Sequence, residues 1–326
     1  MTNPIIIKKK IEPFNKIIHV SGDKSLSIRW ALMASQAKGK SRAYNILRSE
    51  DVVSTLNCLK KLGTKVKLKK KYCEIEGLGL NSFKDKKNLV LDAGNSGTLS
   101  RLIVGLLVHY KNKVKIIGDK SLSKRDFSRI IIPLKKFGAK FKYQNKFKLP
   151  LIVGGSKNLK SIKYYEKKGS AQCKSSVMLA ALNTKGETYI KAKKSRDHTE
   201  ILFKYLKIPI LVKKKKTFDI IRIKGGYQFN GFNYHIPSDI SSSAFFIVLT
   251  LLAKKSKLTI KNVNINPSRI GIVTILKKMG AKINFKNKKN INGEKVADIL
   301  IKSTEKINPI KCPKNLNSQA IDEFLL

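Results

Sequence analysis

The most regular hydrophobic pattern in the chain lies between Ser49 and Gly63. Apolar residues recur there every three or four positions, which predicts an amphipathic helix with Ser49 as its N-terminal cap and Gly63 just beyond its end. After Gly63, Val66 and Leu68 alternate with lysines and are followed by Tyr72 and Ile75, which predicts a hairpin of strands with lysines on an exposed face. This stretch therefore indicates a helix followed by two strands.

The end of that helix belongs to a repeated pattern. Leu59–Val66, Leu134–Phe141 and Leu276–Ile283 each contain a helix end, a glycine and the start of a strand. The first two begin 75 residues apart and the next two 142 residues apart, so the period is close to 71. A further copy is expected near residue 205, where Leu202–Val212 is a candidate that lacks the glycine. The chain is therefore predicted to be α/β (α+β), with a repeated unit of about 70 residues.

A shorter repeat is identical in its two copies. GDKSLS occurs at Gly22–Ser27 and again at Gly118–Ser123. In the first copy, hydroxyl and cationic groups surround a predicted helix start, where free backbone N–H groups favour anions. A solvated basic turn is the alternative. The echo is expected to place Lys24 and Lys120 in corresponding turns of neighbouring repeats.

Other polar turns precede apolar helices in the same way. Asp197 and Glu200 in one of them have the spacing of a capping box. Together the turns predict one substrate with several negative groups, surrounded by helix starts. Neither GxxxxGK[ST] nor GxGxxG occurs, which disfavours nucleotide binding. The turns are Gly22–Arg29, Asn95–Thr98, Gly169–Ser175, Ser195–Glu200 and Ile236–Ser243.

The longest apolar run, Ala244–Ala253, is about half of a membrane span and predicts a buried helix at the start of another domain. The four cysteines are far apart and form no CxxC pair, so neither a zinc site nor a disulfide framework is indicated. A reducing cytoplasm is the expected compartment.

The formal net charge of +48 raises the possibility of nucleic-acid binding. Only nine of the 69 basic residues are arginines, and the lysines are dispersed over the whole chain, which disfavours that function. The arginines are more informative, because the planar guanidinium binds phosphate or carboxylate through two hydrogen bonds.

Eight ordered motifs resemble those of the 5-enolpyruvylshikimate-3-phosphate (EPSP) synthase family, the 3-phosphoshikimate 1-carboxyvinyltransferases. The resemblance implies two domains of βαβαββ units: residues 19–234 as the N-terminal domain with three units, and residues 1–18 with 235–326 as a partial C-terminal domain. The motifs are GDKSLSIR, LDAGNSGTLSRL, GDKSLSKRDFSR, GSAQCKSS, SRDHTE, PSDISSSAFF, NPSRIG and IDEF.

The resemblance also implies the reaction. The enolpyruvyl group of phosphoenolpyruvate would pass to the 5-hydroxyl of shikimate 3-phosphate, releasing phosphate, in the shikimate pathway of aromatic amino-acid biosynthesis. It implies no metal and no organic cofactor, a cytoplasmic monomer, and no nucleic-acid or membrane partner.

The resemblance assigns roles to particular residues. Lys24 would contact both substrates, and Asp322 would accept the hydroxyl proton. The shikimate 3-phosphate residues would be Lys24, Ser25, Arg29, Ser170, Gln172, Arg196 and Asp322. The phosphoenolpyruvate residues would be Lys24, Asn95, Gly97, Arg125 and Gln172.

Two further expectations follow from the resemblance. Gly97 would leave room for the inhibitor glyphosate, so a complete enzyme of this sequence is expected to be glyphosate-sensitive. Family members continue for about a hundred residues past the position of Leu326, so the 326-residue chain alone is expected to be weakly active or inactive.

The alternative function is that of a related enzyme, the enolpyruvyl transferase that acts on a UDP-sugar in cell-wall synthesis. The reactive-cysteine loop of that enzyme has no visible counterpart in this sequence.

Overall fold

A computed structural model of the protein describes residues 10–144 and 146–326. Its helices are α1 (Lys24–Ala34), α2 (Glu50–Lys61), α3 (Gly97–Leu106), α4 (Lys120–Ser123), α5 (Ser128–Phe137), α6 (Ala171–Leu182), α7 (His198–Tyr205), α8 (Ile240–Leu252) and α9 (Gly271–Lys278). Short 3₁₀ turns cover Leu107–His109 and Lys314–Gln319.

The strands are, first, β1 (Asn15–His19), β2 (Lys38–Tyr44), β3 (Lys65–Leu68), β4 (Tyr72–Leu78), β5 (Leu89–Asp92), β6 (Lys113–Ile117), β7 (Lys140–Gln144) and β8 (Lys148–Gly154). They continue with β9 (Lys163–Glu166), β10 (Glu187–Lys193), β11 (Ile210–Lys214), β12 (Phe218–Lys224), β13 (Asn233–His235), β14 (Lys257–Asn264), β15 (Ile283–Ile291) and β16 (Glu294–Lys302).

These elements form two compact units. Gly22–Ile236 and Ile291–Glu294 make up the larger unit. Pro237–Asn290, Lys295–Leu326 and the described residues up to Ser21 make up the smaller one. The smaller unit thus combines the two ends of the described chain.

The larger unit contains three four-stranded sheets of one design. Their strand orders are β13-β2-β4-β3, β5-β6-β8-β7 and β9-β10-β12-β11. In each sheet the first two strands are parallel and the other pairs antiparallel. Their helices are α1 and α2, α3 and α5, and α6 and α7. The predicted α/β fold of repeated βαβαββ units is therefore confirmed.

The smaller unit contains one described sheet with the same order, β1-β14-β16-β15, together with α8 and α9. Its first strand, β1, pairs in parallel with β14, from Asn15 opposite Lys257 to His19 opposite Lys261. The first strand of a repeat can therefore come from a distant part of the chain, as β13 also does beside β2.

The predicted periodic helix ends are visible in all four repeats. A residue with positive φ follows α2, α5 and α9, namely Gly63 (91°), Gly138 (111°) and Gly280 (97°). After α7 the same place is taken by Lys207, with φ of 57°. A lysine in this left-handed conformation is strained in a way that glycine is not, which explains why the third copy is hard to recognise in the sequence.

The exact GDKSLS echo does not mark equivalent positions. Lys24 begins α1, the first helix of its repeat, whereas Lys120 begins α4, which follows β6, the second strand of its repeat. The expectation that the two lysines occupy corresponding turns is therefore wrong. What the copies share is local capping, because the carboxylates of Asp23 and Asp119 accept hydrogen bonds from the N–H groups of Leu26 (2.9 Å) and Leu122 (2.7 Å).

The apolar run in α8 is also not the buried helix that was predicted. One face of α8 packs against the sheet with Ala244, Ile247 and Leu251. The other face is exposed, at 63% for Phe245 and 72% for Leu252. Among the described residues, none of the helices has the length and apolar composition to span a bilayer.

Candidate functional site

The first helix of the larger unit begins at a fixed polar turn. Asp23 caps α1 and is fully buried, and the exposed Lys24 is the first helical residue. The Lys24 ammonium lies 2.9 Å from the carboxylate of Asp51 in the first turn of α2. This ion pair holds a cation beside the start of α1.

Arg29 lies one turn further along α1 and is only 4% exposed. Its Nε donates to Thr199 Oγ1 (2.9 Å), and its Nη2 donates to Ser175 Oγ (3.2 Å). Its Nη1 donates to the carbonyl oxygen of Ser25 (3.1 Å). The guanidinium therefore ties α1 to α6 and α7.

Burial makes the charged form of the Arg29 guanidinium less favourable than it would be in water. Burial lowers its pKa to about 10, and the carboxylates of Asp23 and Glu200 act in the opposite direction. The positive charge of Arg196 lowers that pKa further, which places a second guanidinium in the same region. A bound anion would stabilise two neighbouring cations of this kind.

The starts of α3 and α6 are joined by a chain of side chains. Arg101 Nη1 donates to Gln172 Oε1 (2.7 Å), and Gln172 Nε2 donates to Thr98 Oγ1 (3.1 Å). Ser170 caps α6 through a hydrogen bond from the N–H of Cys173 to its hydroxyl (3.3 Å). The amide of Gln172 is thus held in one orientation.

Gly97, the first residue of α3, lies under two guanidinium groups. A Cβ at this position would be 2.6 Å from Arg125 Nη1 and 3.1 Å from Arg101 Nη1. Burial lowers the pKa of Arg101, and the nearby guanidinium groups of Arg125 and Arg129 lower it further. The arginines therefore make the start of α3 strongly electropositive.

Asp119, from the second GDKSLS copy, supports the turn that precedes α3. The Asn95 side-chain amide donates to the Asp119 carboxylate, and the N–H of Asp119 donates to the carbonyl oxygen of Gly94 (2.9 Å). The hydrogen bond from Asn95 contributes to lowering the pKa of Asp119, after the larger effect of the Leu122 N–H. Asp119 therefore supports the turn that leads into α3.

The turn before α7 does not form the predicted capping box. Asp197 makes no side-chain cap and instead accepts a hydrogen bond from Lys214 Nζ (3.0 Å). Glu200 is buried beside Lys174, whose Nζ is 2.5 Å away. The capping-box prediction is wrong because an internal cation occupies the carboxylate that would otherwise return to the helix start.

His198 begins α7 and is fully buried. Its Nδ1 is 2.7 Å from Glu294 Oε1, and both side chains are inaccessible to solvent. The pair anchors the tip between β15 and β16 to α7 within the larger unit.

In the smaller unit, three of the sequence motifs meet around one buried arginine. Arg269 is 3% exposed, and its Nη1 lies 3.4 Å from Asp322 Oδ2. Its Nη2 donates to Ser241 Oγ (2.7 Å) and lies 3.7 Å from Asp239 Oδ1. Asp322 is half-exposed and is the carboxylate of this cluster that faces solvent most.

The structure therefore brings several candidate residues together within the larger unit. Arg29, Ser25 and Arg196 form one group, and Gln172, Gly97 and Arg125 form another. Gln172 and Ser175, three residues apart on α6, connect the two groups through Arg101 and Arg29. Lys24 and Asn95 lie at the adjacent helix starts, each held by an aspartate.

Sequence reasoning missed the residues that hold these side chains in place. Arg101 was recognised only as an arginine in a motif, yet it directs Gln172. The available signal was its spacing, because positions three and four residues apart on a helix lie on one face, and Thr98, Gly97 and Arg101 have that spacing. Asp51, Ser175 and Thr199 carried no comparable signal.

The repeated βαβαββ units bring together cationic helix starts of the kind that bind small anionic molecules. A sequence model described as EPSP synthase (3-phosphoshikimate 1-carboxyvinyltransferase) matches residues 8–324. The chain belongs to this family of transferases.

Individual relatives agree with the family assignment. The chain is 44% identical over 318 residues to the 3-phosphoshikimate 1-carboxyvinyltransferase of Ruthia magnifica subsp. Calyptogena magnifica, an alignment that covers 96% of this chain and 72% of the relative. It is 41% identical over 321 residues to that of Thermoanaerobacter sp. (strain X514), covering 98% of this chain and 74% of the relative.

A solved structure gives the same result. The EPSP synthase from Acinetobacter baumannii superimposes with a TM-score of 0.86 at 36% identity, covering 96% of this chain and 70% of that one.

Proposed function

We propose that this protein transfers the enolpyruvyl group of phosphoenolpyruvate to the 5-hydroxyl of shikimate 3-phosphate, releasing phosphate, in the shikimate pathway. The observation that carries the proposal is the convergence of α3 and α6 at the Arg101–Gln172–Thr98 chain, beside Gly97 and Arg125. Two phosphates and two carboxylates require such a set of donors, because burying unpaired anions is costly.

On the shikimate 3-phosphate side, we assign Lys24, Ser25, Arg29, Ser170, Gln172 and Arg196. Arg29 and Arg196 lie close enough for the charge of one to lower the pKa of the other, as expected for groups that share an anionic ligand. The exposed Lys24 can leave Asp51 and turn toward a phosphate, since its side chain is about half-exposed to solvent.

On the phosphoenolpyruvate side, we assign Lys24, Asn95, Gly97, Arg125 and Gln172. Arg125 is exposed, and its guanidinium lies directly over the first residue of α3, where the positive end of the helix dipole favours an anion. The lack of a side chain at Gly97 lets the Arg125 guanidinium approach this helix start closely.

Asp322 is assigned as the base that accepts the hydroxyl proton. Arg269 Nη1 lies 3.4 Å from its Oδ2, and its half-exposed position leaves the carboxylate available to a ligand. Lys24 is assigned as a catalytic residue that contacts both substrates in the proposed complex.

The proposal includes a cytoplasmic monomer that binds no nucleic acid. Cys58, Cys73 and Cys173 are buried free thiols, which suits a reducing compartment. The dispersal of lysines over all parts of the chain supports the absence of a nucleic-acid site.

Calorimetric titration with shikimate 3-phosphate tests the binding part of the proposal. The wild-type chain should bind it, and Arg196→Met should weaken binding by about tenfold, as expected for loss of one charge-assisted hydrogen bond. The matched control is Arg42→Met, which removes an arginine of β2 whose Nε lies 2.7 Å from Glu74 Oε2 of β4, and it should leave affinity unchanged. Binding of UDP-N-acetylglucosamine in place of shikimate 3-phosphate would instead support the UDP-sugar transferase.

Release of phosphate tests the reaction. Any release that requires both phosphoenolpyruvate and shikimate 3-phosphate should disappear in Asp322→Asn, which keeps the shape of the side chain but cannot accept a proton in the same way. Unchanged release in that variant would contradict the role of Asp322.

A further inference from the structure

The side-chain oxygen of Gln172 accepts a hydrogen bond from a charged donor. Arg101 Nη1 lies 2.7 Å from Gln172 Oε1. Because a guanidinium has donors and no acceptor, only the carbonyl oxygen of the amide can face it. The amide nitrogen must therefore point to the other side.

The nitrogen is occupied only in part. Gln172 Nε2 donates one hydrogen bond to Thr98 Oγ1 (3.1 Å), and an amide nitrogen carries two hydrogens. The second N–H is the donor that the half-buried side chain can offer to a ligand. A ligand oxygen at this position must consequently be an acceptor, such as an ionised carboxylate, a phosphate or an ether oxygen.

Arg101 is itself held in place from two sides. Its guanidinium lies 5.3 Å from the centroid of the buried Phe127 ring, a cation–π contact. Its backbone carbonyl accepts a hydrogen bond from Ser176 Oγ (2.8 Å), which fixes α3 against α6. A rotation of the Gln172 amide would place its NH₂ group against this fixed cation, so the opposite orientation is excluded electrostatically.

We propose that Arg101 is a positioning residue that makes Gln172 a hydrogen-bond donor toward the substrate, by binding its carbonyl oxygen. This inference rests on the proposed function, in which Gln172 contacts shikimate 3-phosphate and phosphoenolpyruvate. Arg101 then sets specificity without touching the substrate, because a ligand with a donor at this position would meet a second donor.

A double-mutant cycle in the 326-residue chain tests the inference, with shikimate 3-phosphate as the probe in calorimetric titrations. Arg101→Met and Gln172→Ala should each weaken binding by about tenfold, which corresponds to one hydrogen bond that involves a charged or fixed donor. The double variant should bind no more weakly than Gln172→Ala alone, because Arg101 acts only through Gln172. Arg101→Lys should restore most of the affinity, since an ammonium can also donate to Oε1.

Two binding results would overturn the inference. One is an unchanged affinity in Arg101→Met. The other is a tenfold loss from Arg101→Met that persists in the Gln172→Ala background, because Arg101 would then contact the ligand directly. Failure of the wild-type chain to bind shikimate 3-phosphate would overturn the proposed function as well, whereas wild-type binding with either of these results overturns the inference alone.

A spectroscopic measurement keeps the test independent of whether Arg101→Met folds. The side-chain NH₂ signals of Gln172 in the ¹⁵N-labelled wild-type chain can be assigned by their absence in Gln172→Ala. Addition of shikimate 3-phosphate should shift one of the two proton signals strongly and leave the proton bound to Thr98 nearly unchanged. Equal shifts, or no shift, would overturn the inference.

Discussion

The two compact units contain the same repeat but bury its first helix to different extents. In the larger unit, every residue of α6 from Cys173 to Leu182 is buried, and α1 and α3 are nearly as inaccessible. In the smaller unit, α8 buries Ile247 and Leu251 but exposes Phe245 and Leu252. The first helix of the repeat is therefore apolar in sequence in both units. How much of it is buried depends on which elements pack beside it.

This difference has a direct physical cause. In the larger unit three such helices are available, and α3 packs against both α1 and α6. The one such helix described in the smaller unit packs on its own sheet, through β14. A helix that is apolar on all sides needs neighbours on all sides to be fully buried.

The largest expected effect is a direct test of this comparison. Leu182 and Leu252 are the last residues of α6 and α8, and they are 0% and 72% exposed. Leu182→Ala should lower the free energy of unfolding by about 3 kcal/mol, because it leaves a cavity, whereas Leu252→Ala should change it by less than about 0.5 kcal/mol. Urea denaturation followed by circular dichroism measures both, and similar losses would contradict the difference in packing.

The next prediction concerns the pH dependence of stability, which a buried histidine should impose on the larger unit alone. Burial lowers the pKa of His109, in the 3₁₀ turn that follows α3, to about 4 from 6.5, with Asp85 acting in the opposite direction. The unfolded chain then binds more protons than the folded chain between these values, so stability is lost as the pH falls from about 6.5 to about 4.

Replacement of this histidine by a neutral side chain should remove the effect. Relative to His109→Gln, the wild-type larger unit should lose about 2–3 kcal/mol between pH 7 and pH 4. Trp30 is the single tryptophan and is buried in α1, so its fluorescence reports unfolding of the larger unit. Parallel pH profiles for the two proteins would show that His109 does not titrate in this way.

A smaller effect concerns the helix starts. α6 begins with Ala171 where α3 begins with Gly97, and a Cβ at Gly97 would lie 2.6 Å from Arg125 Nη1. Gly97→Ala should therefore displace the end of the flexible Arg125 side chain and weaken glyphosate binding to the chain saturated with shikimate 3-phosphate by about tenfold, or about 1.4 kcal/mol. Calorimetry measures this change. Affinity for shikimate 3-phosphate alone is the control and should remain within about twofold, and an unchanged glyphosate affinity would contradict the proposed subsite.

The smallest effect concerns the helix end that departs from the other repeats. Lys207 has a φ of 57° where the other repeats have glycine. Lys207→Gly should stabilise the larger unit by about 0.5–1 kcal/mol, since glycine adopts this conformation without the steric cost. The midpoint of the Trp30 fluorescence transition in urea measures it, and destabilisation would indicate that the lysine side chain makes a contact of its own.

The amino-acid sequence alone determined the repeat and the places where helices begin and end. Gly63, Gly138 and Gly280 revealed the period because a left-handed helix end requires a local residue choice, and such choices are visible in one dimension. The polar turns before α1, α3 and α6 were recognised for the same reason, since capping depends on residues that are adjacent in the chain.

Only the tertiary structure decided which of these local features act together. The GDKSLS echo suggested equivalence but marked two capping turns at different places in their repeats. The Arg101–Gln172 hydrogen bond joins residues 71 positions apart, and the bond from Arg29 to Thr199 joins residues 170 apart. Contacts of this kind, and the exposed face of α8, depend on how sheets and helices pack, which no local pattern of residues records.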